Sequence, residues 1–194
     1  MHTYPMHNTY YNPAFWVVPE EEMNLTEQEK IDAAIERSIK FAQNQYEAVT
    51  NYMKSLGVNK PVHIGESGWA TTSNSHYGSE ASKAADEYKA GEYYKRMRKW
   101  TNENNISLFY FEAFDEQWKD AQNPLGSENH FGLINLQGEA KYAIWDLVDA
   151  GVFEGLTRDG KPITKTQEGN LEVLKKQVLV PPAYDKINEI QQNN

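Results

Sequence analysis

Two short apolar segments, each followed by acidic and aromatic residues, constrain the fold of this chain most strongly. The first covers residues 61–66 and ends on Glu66, with Trp69 three positions later. The second covers residues 106–114, whose apolar character is too continuous for a strand with one face in solvent, so it predicts a strand buried on both faces. Acidic and aromatic residues follow this second strand as well, and packing alone does not explain that repetition.

Helical patterns lie between and after these strands. Thr26 and Glu29 form a capping-box pattern, which predicts that a helix begins here. Apolar residues at helical spacing continue from Ile31 to Met53, and Gly57 is placed to end the helix. Three further helices are predicted, over about residues 79–102, 139–154 and 170–178.

The remaining segments have the composition of loops. Residues 1–24 predict an extended start followed by a long loop, and residues 71–78 predict a polar loop. Residues 115–138 form a longer polar segment, and loops of that length usually carry function. Because strands and helices alternate, the strands should be parallel with right-handed crossovers. We therefore predict one α/β unit over residues 1–180 and a tail over residues 181–194.

Three sequence motifs follow one another along the chain. Residues 4–5 and 11–13 read YP and YNP. Residues 65–69 read GESGW. Residues 114–119 and 128–133 read FDEQWK and ENHFGL. In this order the motifs resemble the segments at strands six, seven and eight of glycoside hydrolase family 17, the family of 1,3-β-glucanases. Three motifs in register are fairly specific, and their residues are most similar to those of the microbial 1,3-β-glucanases.

This resemblance implies a fold and a reaction. The chain would be the C-terminal portion of a (β/α)8 TIM barrel, about strands six to eight with their helices, because a full barrel needs about 250 residues. Glu66 would be the nucleophile of a retaining mechanism on β-1,3-glucan of the laminarin type. In the family the general acid lies on an Asn-Glu at strand four, which would precede residue 1. We therefore expect the isolated chain to be inactive or nearly so.

The resemblance also implies a group of charged residues that support the nucleophile. Glu116, Lys119 and Glu128 would form a network that fixes the orientation and ionisation of Glu66. The alternative for Glu116 and Lys119 is an exposed ion pair, which would contribute little. We expect the three acids to converge, with Lys119 near at least two of them.

Aromatic residues near the strand ends are candidates for sugar binding. Trp69 and Trp118 lie in polar segments just past strand ends, which favours stacking on sugar rings, although either could belong to the core. Tyr4 could line a glucan groove or could pack against the strand. Phe114 completes the predicted substrate-binding set.

Composition limits the partners. The net charge is −9, with 28 acidic and 19 basic residues, so binding to a nucleic-acid backbone is not expected. The absence of cysteine excludes disulfides and thiolate metal sites, and the five histidines show no metal-ligand spacing. We expect no metal, no cofactor and no membrane partner, but a β-glucan polysaccharide or oligosaccharide. No signal-peptide pattern opens the sequence, yet a polymer substrate predicts an extracellular or periplasmic parent enzyme.

The sequence leaves two alternatives for the function, and it leaves open which partner covers the strand edges. The same fold and covalent intermediate would serve a β-glucan transglycosylase or branching enzyme. A glucan-binding module without catalysis is the alternative from another class. Three strands cannot close a barrel, and unpaired strand edges favour pairing, so we expect either self-association or pairing with the missing N-terminal part of the barrel.

Overall fold

The computed structural model describes residues 1–11, 15–74 and 83–186. Part of the YNP motif, the second half of the predicted loop at 71–78, the start of the predicted helix at 79 and the end of the tail lie outside the described residues. The main sheet has three parallel strands in the order β1-β2-β3: β1 (His2–Thr3), β2 (Ile64–Ser67) and β3 (Leu108–Tyr110).

Helices connect the neighbouring parallel strands. The described residues form five α-helices, which are α1 (Pro5–Tyr11), α2 (Glu27–Ser55), α3 (Glu87–Glu103), α4 (Trp145–Asp149) and α5 (Leu171–Lys175). The chain passes through α1 and α2 between β1 and β2, and through α3 between β2 and β3. This alternation and the parallel pairing confirm the predicted α/β class.

Short elements complete the described structure. Single turns of 3-10 helix occur at Glu20–Glu22, Ser127–Asn129, Tyr142–Ile144, Thr166–Gly169 and Tyr184–Lys186. Four two-residue strands, β4 (Glu139–Ala140), β5 (Thr157–Arg158), β6 (Lys161–Pro162) and β7 (Thr164–Lys165), form two small sheets. β4 pairs with β7 in parallel, and β5 pairs with β6 antiparallel.

The capping box at the start of α2 is confirmed. Thr26 Oγ1 accepts a hydrogen bond from the Glu29 backbone N–H at 3.3 Å, and Glu29 Oε2 accepts one from the Thr26 backbone N–H at 2.8 Å. Gly57 has a φ of +73°, a conformation that suits glycine just past a helix end. The two long helices pack against each other, α3 also contacts β3, and residues of both helices belong to the main core.

Several predicted elements are wrong in extent or type. Residues 5–11 form a helix instead of part of a loop. The strand predicted over 106–114 is limited to Leu108–Tyr110, and Phe109 on it is 66% exposed, because β3 lies at the end of the described sheet.

The helix predicted over 139–154 is also wrong. It is replaced by β4, a 3-10 turn and the short α4, because residues 139–140 pair with β7. The last predicted helix is shorter than expected and ends at Lys175. Beyond residue 180, the Val18 backbone N–H donates to the carbonyl oxygen of Pro182 at 2.8 Å, and the division between domain and tail stays a prediction.

Candidate active site

Glu66 lies near the C-terminal end of β2 and is held by residues at β1. Parallel pairing places His2 opposite Glu66, and Tyr4 follows directly after β1. The Tyr4 hydroxyl donates a hydrogen bond to Glu66 Oε2 at 2.9 Å, and His2 Nδ1 lies 3.3 Å from the same oxygen. The strand register therefore orients one oxygen of the predicted nucleophile.

Tyr4 is built to remain a hydrogen-bond donor. Burial of its ring raises the pKa of the phenol far above its ordinary value, and the hydrogen bond to Glu66 raises that pKa further. The charges of Glu66, Glu128 and Glu112 act in the same direction. The ring also packs edge-on against the ring of Phe131, which fixes the direction of the hydroxyl.

A second group of charges surrounds Lys119. Its Nζ lies 2.5 Å from Glu112 Oε2 and 3.3 Å from Glu116 Oε2, and it stands 3.9 Å above the centre of the Phe111 ring. The side chains of Lys119 and Glu112 are both largely buried. The arrangement is therefore more than the exposed ion pair that was the alternative reading of Glu116 and Lys119.

Glu112 is a site residue that the sequence-based assignment missed. It lies two residues after the end of β3, at the same end of the sheet as Glu66. Burial raises the pKa of its carboxyl, while the hydrogen bond and the charge of Lys119 lower it. The available signal was an acid inside the apolar run 106–114, where a carboxylate needs a partner.

Glu128 lies within electrostatic reach of Tyr4 and His7. Its charge contributes to the raised pKa of Tyr4, whereas burial lowers the pKa of His7 and the charge of Glu128 opposes that shift. The His7 ring stacks on the Tyr4 ring at 5.5 Å between centroids. Among the described contacts, the carboxylates that contact Lys119 belong to Glu116 and Glu112. Of the three predicted acids, Glu116 therefore contacts Lys119, and the convergence of Glu66, Glu116 and Glu128 stays a prediction. Their catalytic roles stay predictions.

A buried ion pair supports the loop that carries these acids. Asp115 Oδ1 accepts hydrogen bonds from Lys141 Nζ at 2.7 Å and from the Gly132 backbone N–H at 2.9 Å. A Cβ atom at Gly132 would lie 2.1 Å from the Asp115 nitrogen, so this close approach requires glycine. Lys141 Nζ also donates to Thr71 Oγ1 at 2.8 Å, which ties the loop to the segment after β2.

The predicted aromatic contacts divide into buried and exposed ones. Trp69 is only 1% exposed, its Nε1 donates to the carbonyl oxygen of Ala84 at 3.0 Å, and its ring packs between Trp16 and Tyr93. The prediction that Trp69 stacks on sugar is therefore wrong, because no face of the ring is open. Trp118 is 73% exposed, and Phe114 is partly exposed.

The described residues restrict other kinds of site. In residues 1–11, 15–74 and 83–186, no group of three His, Asp or Glu side chains is arranged to hold a metal ion. None of the helices in the same ranges has both the length and the apolar character needed to cross a membrane.

Known proteins resemble this chain over different lengths. No family model matches the sequence. A solved structure of an endo-laminarinase from Formosa Hel1_33_131 superposes with a TM-score of 0.89 and 59% identity, covering 94% of this chain and 46% of that one. A glucan 1,3-beta-glucosidase of Arthroderma benhamiae is 35% identical over 89 residues, which is 42% of this chain and 27% of that protein.

A third similarity is weaker in structure. The glycoside hydrolase family 17 beta-1,3-glucanosyltransferase from Rhizomucor miehei is 30% identical, covers 52% of this chain and 33% of its own, and has a TM-score of 0.41. The chain thus spans less than half the length of the relatives it matches. The endo-laminarinase and the glucosidase confirm the resemblance of this chain to glycoside hydrolase family 17 that the three sequence motifs indicate.

Proposed function

We propose that this chain carries the nucleophile half of the active site of a retaining glycoside hydrolase that acts on β-1,3-glucan. The observation that carries the proposal is the placement of Glu66. It lies at the C-terminal end of a parallel strand, it is held by Tyr4 at 2.9 Å, and the chain is 59% identical to part of an endo-laminarinase. Catalytic residues of (β/α)8 barrels lie at this end of the strands.

The geometry suits a covalent mechanism. Tyr4 and His2 both lie against Oε2 of Glu66, which leaves Oε1 for attack on the anomeric carbon. The bond between Oε1 and this carbon would form as the glycosidic bond breaks, and the leaving oxygen would take a proton from a general acid. Water, activated by the same residue as base, would then release the sugar from Glu66.

The general acid would come from residues outside positions 1–194. A retaining pair needs two carboxyl groups about 5–5.5 Å apart, and the family resemblance places the acid on strand four. The matched part of the endo-laminarinase is 46% of its chain, which leaves room for such a residue. β1, β2 and β3 would be strands six, seven and eight of a (β/α)8 barrel.

The exposed aromatic residues would bind the substrate. Trp118 and Phe114 follow β3, at the same end of the sheet as Glu66, and aromatic faces of this kind stack on pyranose rings. Tyr4 would lie beneath the reacting sugar through its bond to Glu66. Because the substrate is a polymer, the parent enzyme would act outside the cytoplasm, in the periplasm or the extracellular space.

Trapping of the intermediate tests the role of Glu66. The enzyme that contains this chain would be incubated with a 2-deoxy-2-fluoro-β-glucosyl donor that carries a good leaving group, and its peptides would be analysed by mass spectrometry. We expect the sugar on the peptide with Glu66, and neither label nor turnover in Glu66→Gln. Glu103→Gln removes an exposed acid of α3 and should label normally. A label on another carboxylate would overturn the assignment.

Product analysis separates the alternatives. Laminarin treated with the complete enzyme should release shorter oligosaccharides, whereas products longer than the donor would identify a transglycosylase. Binding without turnover would identify a glucan-binding module. The 194-residue chain alone should release no sugar, because a general acid contributes about 10²–10⁴-fold. Substantial release would mean that the acid lies within residues 1–194.

A further inference from the structure

Glu112 is a buried acid that the proposed mechanism does not use. Its side chain is 13% exposed, and its Oε2 accepts a hydrogen bond from Lys119 at 2.5 Å. Its other oxygen, Oε1, is buried and has no hydrogen-bond partner among the described residues. A buried carboxylate oxygen without a hydrogen-bond donor disfavours the ionised form of the group. The protonated form is favoured when a neighbour accepts a hydrogen bond from its proton.

The neighbour that can accept this proton is Glu116. Lys119 Nζ contacts Oε2 of both Glu112 and Glu116, so both carboxyl groups lie around one ammonium. If both acids were ionised, the cluster would carry a net charge of −1. One proton shared by the two acids makes the cluster neutral, and burial favours the neutral form.

The groups that face Glu112 come from several elements. Lys119 and Glu116 lie on the loop after β3, and Lys141 and Tyr4 lie within electrostatic reach of Glu112. Burial raises the pKa of Glu112, and the nearby carboxyl group of Glu116 raises that pKa further, while Lys119 opposes the shift. The charge of Glu112 also acts on Tyr4, the donor to Glu66. The cluster therefore lies within electrostatic reach of the residue that orients the proposed nucleophile.

We infer that Glu112 is a positioning residue of the proposed glucan site, which shares one proton with Glu116 and so holds the Lys119 ammonium in a neutral cluster beside Tyr4 and Glu66. The neutral cluster adds no net negative charge near Tyr4, the residue that donates the hydrogen bond to Glu66. The catalytic part of this inference rests on the proposed function. The shared proton does not.

Nuclear magnetic resonance tests the shared proton without any assay of activity. In the complete enzyme labelled with [5-¹³C]glutamate, the Glu112 signal is the one lost in Glu112→Gln. We expect it to titrate at higher pH than the signal of the exposed Glu103, and at lower pH in Glu116→Gln than in the wild type. Titration together with Glu103, or no response to Glu116→Gln, would overturn the shared proton even if Glu66 were confirmed as nucleophile.

Two substitutions at Glu112 test the positioning role. Glutamine has the shape of the protonated acid, can accept from Lys119 and can donate to Glu116. Glu112→Gln should therefore keep kcat within about threefold of the wild type and retain it to higher pH, because it has no proton to lose. Glu112→Ala should lower kcat at least tenfold with little change in KM.

The alternative is that Glu112 serves only as an ionised partner of Lys119. In that case Glu112→Gln would be as harmful as Glu112→Ala and would leave the pH profile unshifted, and either result would overturn the inference. If Glu112→Ala does not fold, the comparison of Glu112→Gln with the wild type still decides. Failure to label Glu66 with the fluorinated donor would instead remove the proposed function and leave the titration result standing.

Discussion

At the scale of single residues, the hydrogen bond from Tyr4 to Glu66 is the contact with the clearest chemical consequence. Tyr4→Phe removes only the hydroxyl that donates to Oε2 at 2.9 Å. A hydrogen bond to a charged group contributes about 1.5–3 kcal/mol, so kcat of the complete enzyme should fall about 10–100-fold. KM should change little. Tyr52→Phe, at an exposed position of α2, is the matched control, and equal losses in both variants would contradict the role of Tyr4.

Trp69 and Trp118 differ in burial, and this difference predicts opposite effects of substitution. Trp69→Ala should destabilise the protein by about 3–5 kcal/mol, because it empties a packed core position. Trp118→Ala should leave stability nearly unchanged and raise KM for laminarin. Thermal unfolding and steady-state kinetics of both variants check this. If Trp69→Ala were as stable as the wild type and had only a raised KM, the result would instead support stacking of Trp69 on a sugar ring.

At the scale of secondary structure, the capping box accounts for where α2 begins. Thr26→Ala removes the side-chain acceptor of the Glu29 N–H and the partner of its carboxylate. Loss of such a cap costs about 1 kcal/mol of stability, within a range of about 0.5–2 kcal/mol. Urea denaturation of the variant measures this loss. Thr50→Ala, in the C-terminal part of the same helix, should change stability by less than about 0.5 kcal/mol, since alanine is the better helix former.

At the scale of the whole molecule, Glu87 couples stability to pH. It joins the start of α3 to the Tyr142 backbone N–H at 2.8 Å and to the Thr166 hydroxyl. Burial raises the pKa of Glu87 above its ordinary value of 4.5. Between the ordinary pKa of Glu87 in the unfolded chain and its higher pKa in the folded protein, the folded protein binds more protons. The free energy of unfolding should therefore fall as the pH rises through this range.

Urea denaturation across about pH 4 to 8 would measure this dependence. In Glu87→Gln the contribution of this group to the slope should disappear, because the amide does not titrate. Glu103→Gln, an exposed acid on the same helix, should keep the slope of the wild type. A slope that is the same in all three proteins would show that Glu87 does not bind the additional proton.

The edge of the main sheet determines the expected association behaviour. β1 and β3 are the outer strands of the described sheet, and Phe109 on β3 is 66% exposed. An exposed apolar edge is a template for pairing, so the 194-residue chain should self-associate at micromolar concentration. Phe109→Lys should weaken this association, as measured by sedimentation. A stable wild-type monomer would contradict the part-barrel proposal.

Local sequence signals predicted those features whose cause is itself local. The capping box and the helical spacing behind it gave α2, because the hydrogen bonds of a helix end join residues three or four positions apart. The β-rich segment before Glu66 predicted β2. It also predicted at which end of the sheet this acid lies. The helix at 5–11 was missed, since seven residues in a segment rich in loop signals give little periodicity to read.

Only the tertiary structure decided which side chains are buried and which acid meets which cation. Trp69 and Trp118 stand in similar polar segments, but contacts with Trp16 and Tyr93 bury the first and leave the second exposed. The partner of Lys119 depends on how the loop after β3 folds back over Phe111, which brings Glu112 within 2.5 Å. Burial and ion pairing depend on neighbours distant in sequence. The local sequence therefore determined where the proposed nucleophile lies, while packing decided the surroundings that set its chemistry.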